Sequence, residues 1–519
     1  MNSKYSLSVT GASIFIILIT IFSKGLGFLR EMVFAGIFGL GADYDLYLVA
    51  SVLPFTICTI LLYLGQNYFI PIYNKFLKTN NEKEILFVNY NLIVFFIMGL
   101  VLAFTLYFFK NLIIGLYLAN SKEIIKQQAA IIFSIYLISI PIYSVISILS
   151  AYFQQKLNFV TPAFSQLLLN FCIILLVPIF HNELGILIIP ISFVLGALVQ
   201  LLILLRKSKI INFKLKDIFY FNNILSHISG SLIIIVFIES ISQLFMIADR
   251  YFVFKVDRGG IAALNYAQNI FMLPISIIGI SIYTAIFPKL TEIIHHNMNK
   301  ELERFLIKSI RLFLLVFIPT TIIFVFYNQV IIELVYERGK FGFKDTIITG
   351  QVLSYLSISL FVCALYGIFN KLFYSSGMIK PLLLITVISC MIKIFMNWIL
   401  VNYIRQNGLA LSSSITYLFL LTSSILIIQN RIKIKVFKIT IINILYMLFN
   451  GLLSYYIIAI IMKIIHVNVQ VYEICQIILF VIIFYFNLVL IDFVSWSKIK
   501  LFALQPNALS NVKLILKDL

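Results

Sequence analysis

The sequence predicts an all-α, polytopic membrane protein of about 14 transmembrane helices, arranged as two six-helix lobes and two further C-terminal helices. Three observations predict this fold: the apolar composition, a series of apolar segments long enough to cross a bilayer, and an internal repeat. Of the 519 residues, 62% are hydrophobic and 11% are charged, whereas soluble domains are about 45–50% apolar and about 25% charged. The composition therefore excludes a water-soluble enzyme and a disordered protein.

The apolar segments predict the number of spans. A helix that crosses a hydrocarbon core of about 30 Å needs about 20 mostly apolar residues. Fourteen segments qualify, and they cover residues 10–38, 44–70, 86–109, 127–154, 158–180, 185–205, 224–248, 261–288, 305–327, 346–375, 380–402, 408–430, 439–464 and 472–495. They are continuously apolar and do not alternate as the strands of a β-barrel would, which favours helices. No small-residue cleavage site follows the first segment, so we interpret it as a retained helix.

The distribution of basic residues predicts the orientation. The net charge of +19 comes from 39 Lys and Arg against 20 Asp and Glu. With the N-terminus in the cytoplasm, 25 basic residues fall on the cytoplasmic side, 13 fall on the opposite side, and Lys393 lies inside a span. Because basic loops tend to remain in the cytoplasm, we expect both termini inside. The positive charge therefore indicates membrane topology, and no nucleic-acid partner is needed to explain it.

An internal repeat relates two halves of the chain. Matching residues are separated by a constant number of positions, which equals the separation between Arg30 and Arg250. Within one ungapped stretch, the first half's Arg30, Val33, Phe34, Gly39, Ala42, Leu53 and Pro54 match Arg250, Val253, Phe254, Gly259, Ala262, Leu273 and Pro274. Asp45 matches Asn265 in the same register, and further along Gly185 is matched to Gly408 at a slightly larger offset. We interpret the series as a duplication of a helical unit.

The spacing of the repeat predicts how the two halves are placed in the membrane. Spans 1–6 match spans 7–12, and because six is even, both halves enter the membrane in the same direction. Such parallel repeats are typical of transporters that work by alternating access. We therefore expect an N-terminal lobe of residues 1–216, a C-terminal lobe of residues 217–435, and an additional helix pair with a cytoplasmic tail, residues 436–519.

Charged side chains inside the predicted spans indicate a binding site, because ionisable groups in a membrane usually face a cavity or a partner. Lys24 and Arg30 are about 9 Å apart along the first span and could bind an anionic group such as a pyrophosphate. Asp45, at the start of the second span, could pair with either cation and be displaced by substrate. Arg250 could add charge from the second lobe. The alternative is that these charges lie at the outer interface and tether the helix ends.

A second group of polar residues lies in spans 7 and 11. Glu239 and Lys393 have opposite charges and no local partner, so we predict that they pair between these two spans. Asp249, near the outer end of span 7, and Asn397, one turn after Lys393, complete the residues that we assign to coupling or conformational change. The alternative for Lys393 is that its side chain extends to the nearer interface.

The sequence predicts no cofactor and no metal site. The cysteines, Cys58, Cys172, Cys363, Cys390 and Cys475, lie in or beside apolar spans without the spacing of metal ligands. Neither a phosphate-binding glycine loop nor a catalytic triad is recognisable. The sequence does not predict an oligomeric state.

Several of these segments resemble one family. Residues 23–31 (SKGLGFLRE), 35–39 (AGIFG) and 45–54 resemble the opening signature of the MurJ/MviN lipid II flippases, which belong to the multidrug/oligosaccharidyl-lipid/polysaccharide exporter superfamily. Residues 263–267 (ALNYA) and 337–341 (ERGKF) are similar to later segments of that family. The resemblance covers about residues 10–430.

The resemblance implies a flippase of the bacterial cytoplasmic membrane that moves an undecaprenyl-pyrophosphate-linked peptidoglycan precursor from the inner to the outer leaflet. It also implies a basic cavity for the headgroup, and a groove on spans 13 and 14 for the lipid tail. Of the family's cavity residues, Arg30 and Asp45 carry over, and Lys24 replaces an arginine. The sequence departs from the family at Cys58 and Asn269, which stand where the family has arginines.

These departures leave alternatives open. The missing arginines favour a flippase for another polyprenyl-linked glycan, such as an O-antigen, capsule or teichoic acid precursor. A cation-coupled drug exporter would use Glu239 and Asp249 as its coupling acids, and a membrane scaffold would transport nothing. Some family members bind sodium between spans 7, 11 and 12, and Lys393 stands in that neighbourhood, where its ammonium could substitute for the ion.

Overall fold

The computed structural model describes residues 9–77, 84–119, 121–208, 230–296, 298–465 and 469–498, with side chains described for residues 22–74, 84–119, 121–208, 234–296, 298–462 and 473–490. Residues 1–8 and 499–519, which include both predicted cytoplasmic ends, lie outside this part of the chain. The predicted lobe boundary at residue 216 also lies outside it. Among the described residues there is no β-strand, only a single bridge between Arg338 and Phe341.

Helices make up nearly all of the described chain, as expected where every backbone polar group must find its partner inside an apolar medium. They are α1 (Val9–Phe38), α2 (Ala42–Leu77), α3 (Glu84–Phe108), α4 (Lys110–Tyr117), α5 (Glu123–Leu137), α6 (Ser139–Gln155), α7 (Val160–Leu184), α8 (Ile188–Ser208), α9 (Gly230–Tyr251), α10 (Gly260–Pro274), α11 (Ile280–His295), α12 (Asn299–Phe326), α13 (Asn328–Tyr336), α14 (Phe343–Ser357), α15 (Leu360–Ser375), α16 (Ile379–Ile432), α17 (Phe437–Ile465) and α18 (Val469–Lys498). A π-helical segment, Ile275–Gly279, joins α10 to α11.

The membrane-crossing character of the bundle is confirmed. In the described chain, nine helical stretches are long and apolar enough to span a bilayer, and the bent pair α14–α15 adds a tenth. Two of the nine, Val160–Ser208 and Ile379–Ile432, have 49 and 54 residues, which is about twice the length that one span needs. The protein is therefore a multi-pass membrane protein, while the total of fourteen spans stays a prediction.

Both long stretches are hairpins of two packed helices. In the first, Gly196 of α8 lies against the backbone of Leu169 in α7. In the second, α16 turns back on itself at Arg405, where non-helical dihedral angles interrupt the helix, and Gly408 then packs against the backbone of Leu400. Each stretch therefore contributes two antiparallel helices to its lobe.

The internal repeat is visible in the positions at which helices end. The pairs α5–α6 and α14–α15 end at corresponding residues. Helices α5 and α6 end at Leu137 and Gln155, and α14 and α15 end at Ser357 and Ser375. Each residue of the first pair is separated from its counterpart by the same number of positions as Arg30 from Arg250. The hairpin turns also match, because Gly185 (φ 54°, ψ −134°) and Arg405 (φ 50°, ψ −127°) share one unusual conformation at the same offset. Arg405, and not the predicted Gly408, is therefore the structural counterpart of Gly185.

The two lobes meet along α1 and α2 on one side and α9 and α10 on the other. Helices α17 and α18 come after the repeat. They pack on α12 of the second lobe, where the Tyr485 hydroxyl donates to the carbonyl of Leu315, and on each other, where Asn450 donates to the carbonyl of Phe484. Outward-facing side chains of this pair, such as Tyr456 and Phe486, are exposed, as expected for a surface that faces lipid.

Candidate functional site: a charged cavity between the lobes

A small cavity of about 90 Å³ lies where the two lobes meet. The first lobe lines most of it, with aromatic and apolar side chains from α2, α5 and α8, and the second lobe contributes Met246, Arg250 and Asn265. Three charged residues line the cavity: Arg30, Glu31 and Arg250. An apolar wall with a few convergent polar groups is typical of a ligand site.

Arg30 is the cavity cation that remains accessible. Its side chain is 24% exposed, its Nη2 donates to Glu31 Oε1 at 2.7 Å, and its Nη1 donates to Asn170 Oδ1 at 3.2 Å. A guanidinium has five N–H donors, so these bonds leave it capacity for a further anionic ligand. The expectation that Arg30 faces a cavity is consistent with this geometry.

Glu31 is the polar centre of the cavity, and the sequence analysis did not select it. Glu31 is only 6% exposed. Its carboxylate accepts hydrogen bonds from Arg30, from the Tyr44 hydroxyl at 3.3 Å, from Asn265 Nδ2 at 3.3 Å and from Asn269 Nδ2 at 3.2 Å. The two asparagines belong to α10, so Glu31 joins the lobes. Its position within a span, next to Arg30, was the signal that could have identified it.

Arg250 is held differently from its repeat partner Arg30. It is 2% exposed, and it donates to the carbonyl of Ile261 at 3.2 Å and to Asn265 Oδ1 at 3.0 Å. Its guanidinium therefore lines the cavity while it stabilises the second lobe from inside. Asn265 uses its other side-chain atom to reach Glu31, so the two cavity charges are connected through one amide.

Lys24 does not join this group. Its side chain is exposed, and it is not among the residues that line the described cavity. The structure therefore does not bring Lys24 and Arg30 together as a two-cation grip, although both lie on α1.

Asp45 does not pair with Lys24 or Arg30, so that prediction is wrong. Its carboxylate accepts from the backbone N–H of Gly259 at 2.6 Å and of Ala262 at 2.7 Å, at the first turn of α10. Asp45 is therefore a helix cap supplied by the opposite lobe. A carboxylate at this position satisfies unpaired N–H groups and interacts favourably with the helix dipole. The sequence pattern could not reveal a cap whose helix begins in the other half of the chain.

Two further contacts close this end of the lobe interface. The Lys340 backbone N–H donates to the carbonyl of Gly36 at 2.8 Å, and the rings of Tyr44 and Tyr266 stack with centroids 5.3 Å apart. We call these contacts, together with the Asp45 cap, the gate. They join α1 and α2 to α10 and to the loop before α14, on the side that the charge distribution predicts to be outside.

Lys393 pairs with Asp249 and not with Glu239, so the predicted partner is wrong. Its Nζ lies 2.7 Å from Asp249 Oδ1, and the residue is 1% exposed, which also excludes extension to the interface. Asn397 donates to the same carboxylate oxygen at 2.8 Å. Three of the four residues assigned to coupling therefore form one buried cluster.

Glu239 lies elsewhere on α9. Its carboxylate interacts electrostatically with the Tyr374 hydroxyl and the Lys371 ammonium, both on α15, and with Tyr63 of α2. Ten residues separate Glu239 from Asp249, about 15 Å along one helix. This distance explains why Glu239 cannot share the partner of Asp249.

The two positions that depart from the family pattern have different surroundings. Cys58 is buried, and its Sγ lies 3.3 Å from Ser139 Oγ inside the first lobe, so it is not a cavity residue in this structure. Asn269 donates to Glu31, so the cavity carboxylate meets a neutral amide at that position. In the described part of the chain, no group of three or more His, Cys, Asp or Glu could hold a metal ion.

Comparison with known proteins agrees with this architecture. The family model described as lipid II flippase MurJ matches residues 34–483. Among curated relatives, the probable lipid II flippase MurJ of Borreliella burgdorferi is 26% identical over 84% of this chain and 86% of its own length. The lipid II flippase MurJ of Thermosipho africanus is 26% identical over 74% and 78% of the two chains.

Solved structures share the fold. A lipid II flippase MurJ in an inward closed conformation superimposes with a TM-score of 0.78 at 23% identity, covering 92% of this chain and 98% of the other. An inward-facing multidrug resistance MATE family transporter has a TM-score of 0.68 at 16% identity, covering 80% and 98%. Because the family model matches most of the sequence, the chain belongs to the MurJ family.

Proposed function

We propose that this protein translocates lipid II, the polyprenyl-pyrophosphate-linked peptidoglycan precursor, across the cytoplasmic membrane by alternating access. The observation that carries the proposal is the cavity between the lobes, in which Arg30 is accessible and two guanidinium groups and one carboxylate line the wall. A net positive cavity suits an anionic headgroup. Membership of the MurJ family supports the choice of substrate.

Arg30 would bind the pyrophosphate by turning from Glu31 to the substrate. Such an exchange normally leaves a buried carboxylate unpaired at high cost. Here Glu31 would keep three neutral donors, from Tyr44, Asn265 and Asn269. Arg250 would add charge from the second lobe, and Lys24 would meet the anion on α1 before it reaches Arg30.

Alternating access would require the gate to open. In the described arrangement Asp45, Lys340 and Tyr44 connect the lobes at the predicted outer side, so the cavity is closed there. A neutral hydrogen bond or a ring stack contributes about 0.5–1.5 kcal/mol, and a hydrogen bond to a carboxylate about 1.5–3 kcal/mol. Contacts of this strength can break and re-form in each cycle.

The membrane placement follows the charge distribution. We propose a cytoplasmic-membrane protein with both termini inside, and a role for α17 and α18 in guiding the polyprenyl tail, since they lie outside the repeat and expose apolar side chains. The coupling cluster of Asp249, Lys393 and Asn397, and the separate Glu239, would set the arrangement of the second lobe.

A second candidate is a flippase for another polyprenyl-linked glycan. It is favoured by the neutral Asn269 that contacts Glu31 and by Cys58, which is buried against Ser139. Both candidates share the pyrophosphate, so the sugar portion distinguishes them.

The test has two parts. Depletion of the protein in its host, followed by mass spectrometry of lipid extracts, identifies the intermediate that accumulates. Accumulated lipid II supports the first candidate, another glycan-lipid supports the second, and no accumulated lipid-linked intermediate contradicts both. Translocation of fluorescent lipid II by the full chain in proteoliposomes then shows whether transport is direct.

A further inference from the structure

Four aromatic rings cover the first-lobe side of the cavity. They belong to Tyr47 and Phe55 of α2, Tyr136 of α5 and Phe193 of α8. The ring centroids of Tyr136 and Phe193 lie 4.9 Å apart. The ring of Tyr47 lies 6.2 Å from that of Tyr136, and the ring of Phe55 lies 6.0 Å from that of Phe193. The four rings therefore form one continuous surface, which we call the aromatic wall.

Phe55 is the accessible end of the aromatic wall. It is 38% exposed, whereas the other three wall residues are buried. Phe193 supports it from behind, because the Phe193 ring also stacks on Tyr143 at a centroid distance of 5.6 Å. An aromatic ring that is held by packed neighbours and still presents surface to a cavity can contact a ligand without first being ordered.

Hydroxyl groups border the aromatic wall at the end that lies near the cavity charges. The hydroxyl oxygens of Tyr47 and Tyr136 are 3.0 Å apart, and the Ser51 hydroxyl interacts with that of Tyr47. Arg30 interacts electrostatically with both tyrosines. From Tyr47 to Phe55 the rise along α2 is about 12 Å. Over this distance the cavity lining therefore changes from a guanidinium, through hydroxyl groups, to an apolar ring.

The fold itself does not require these rings. At the separation that relates Arg30 to Arg250, the second lobe has no aromatic residue at any of the four equivalent positions, which are Ala267, Ile275, Leu356 and Ser413. The second lobe nevertheless forms the same helical unit. The aromatic wall is therefore a feature of the first lobe alone, which makes a role in ligand binding more informative than a role in packing.

We propose that the aromatic wall binds the sugar ring attached to the pyrophosphate, with Phe55 as its principal contact. This inference rests on the proposed function, since it places the sugar beside the anion that Arg30 would bind. A sugar ring has faces of C–H groups, which the negative face of an aromatic ring attracts. Its hydroxyls are both donors and acceptors, as are those of Tyr47, Ser51 and Tyr136.

The surroundings of the aromatic wall favour a sugar over two other ligands. A cationic drug would also bind to aromatic faces, but the guanidinium groups of Arg30 and Arg250 line the same cavity and would repel it. A lipid chain would leave the wall hydroxyls without a polar partner from the ligand. A neutral ring with hydroxyl groups, attached to an anion, matches all three parts of the lining.

The position of the aromatic wall within one lobe suits a transport cycle. All four residues belong to α2, α5 and α8, so the surface remains assembled when the lobes separate and the small cavity widens. The sugar could therefore keep its contact with the first lobe while the gate opens.

The test compares two ligands that differ by one sugar. The full chain in lipid nanodiscs is titrated with undecaprenyl pyrophosphate and with undecaprenyl pyrophosphate that carries a single N-acetylhexosamine, and native mass spectrometry gives both dissociation constants. The wild-type protein should bind the sugar-bearing lipid about 2-fold to 10-fold more tightly, as expected for one aromatic contact. Phe55→Ala should lose this preference. The comparison does not depend on which complete glycan the protein carries.

Two further variants separate a sugar contact from general effects of substitution. Phe55→Trp keeps an aromatic face at this position and should retain the preference. Phe171→Ala removes a ring of α7 that is 52% exposed and is not among the residues that line the described cavity, so it should also retain the preference.

Two results would overturn the proposal. One is a wild-type protein that binds the two lipids equally, a measurement that needs no variant to fold. The other is a preference that persists in Phe55→Ala, because the sugar would then be held elsewhere. A wild-type protein that binds neither lipid would instead contradict the proposed function, and this proposal with it.

Discussion

The two lobes share one scaffold but use their charges in different ways. Arg30 and Arg250 occupy equivalent positions of the repeat, yet Arg30 is partly exposed in the cavity and paired with Glu31, whereas Arg250 is buried and bonded within its own lobe. We therefore expect the same residue type to act mainly in substrate binding in one lobe and mainly in stabilising the fold in the other. The difference comes from neighbours that are distant in sequence.

A second pair of equivalent residues, Asp45 and Asn265, forms hydrogen bonds between the lobes. Asp45 of the first lobe caps α10 of the second, and Asn265 of the second lobe donates to Glu31 of the first. Duplication alone would have produced two similar sites. Divergence of these two positions instead produced contacts that cross the interface and close it.

The largest expected effect concerns the charge pair that only the second lobe has. Asp249→Asn and Lys393→Met should each lower the free energy of unfolding by about 3–5 kcal/mol, because each leaves a buried charge without its partner. The double variant should lose much less than the sum, and Glu239→Gln should not rescue Lys393→Met. Thermal unfolding in nanodiscs measures all four variants, and additive losses would contradict the pairing.

The repeat-related arginines should separate transport from stability. Arg30→Ala should reduce lipid II translocation in proteoliposomes by roughly 10-fold to 100-fold, the effect of losing about 1.5–3 kcal/mol of charge-assisted binding. Its unfolding temperature should change little, because Glu31 retains three neutral donors. Arg250→Ala should instead lower the unfolding temperature, since it leaves the Ile261 carbonyl and Asn265 with fewer partners. The reverse pattern would refute the division of roles.

The gate should weaken without Asp45. Asp45→Ala removes the cap of α10 and should cost about 1 kcal/mol. Hydrogen exchange should become faster in the segment that contains Gly259 and Ala262, while α17, which packs on α12 and α18, serves as an internal control. Asp45→Asn can still accept one hydrogen bond, so its exchange rate in this segment should lie between those of the wild type and Asp45→Ala. Unchanged exchange in Asp45→Ala would show that the cap does not hold the gate.

The equivalent hairpin turns should respond differently to substitution, and the smallest expected effect is that of Arg405→Gly. Both Gly185 and Arg405 have a positive φ, which glycine adopts freely and other residues adopt at a cost of about 1–3 kcal/mol. Gly185→Arg should therefore be destabilising by about 1 kcal/mol or more. Arg405→Gly should be neutral or slightly stabilising, because it relieves the backbone and loses only a solvent-exposed pair with Asp257. Equal losses in unfolding temperature would argue against strain at Arg405.

The sequence was sufficient for the general fold and for part of the site. Continuous apolar runs predicted the helices because a bilayer permits few other structures, and the repeat predicted two lobes. Arg30 and Arg250 could be selected because charge inside a span is rare. Glu31 was passed over as part of a motif, although the same criterion applied to it.

The pairing of Lys393 and the role of Asp45 depended on tertiary structure. Glu239 and Asp249 lie on one helix, ten positions apart. Because both are negatively charged, either could have been the ion-pair partner of Lys393. Only the packing of the α16 hairpin against the C-terminal half of α9 brings the ammonium to Asp249. Asp45 likewise finds its helix only when the lobes are docked.

The sequence by itself determined that this chain crosses a membrane repeatedly, in two similar halves, with a few charges that lipid must exclude. Apolar length and periodicity are local properties, and they are enough for those conclusions. The tertiary structure alone decided which charged residues pair. An ion pair inside a protein depends on distances of a few ångströms between its charged groups, and the separation of two residues in the sequence does not constrain these distances.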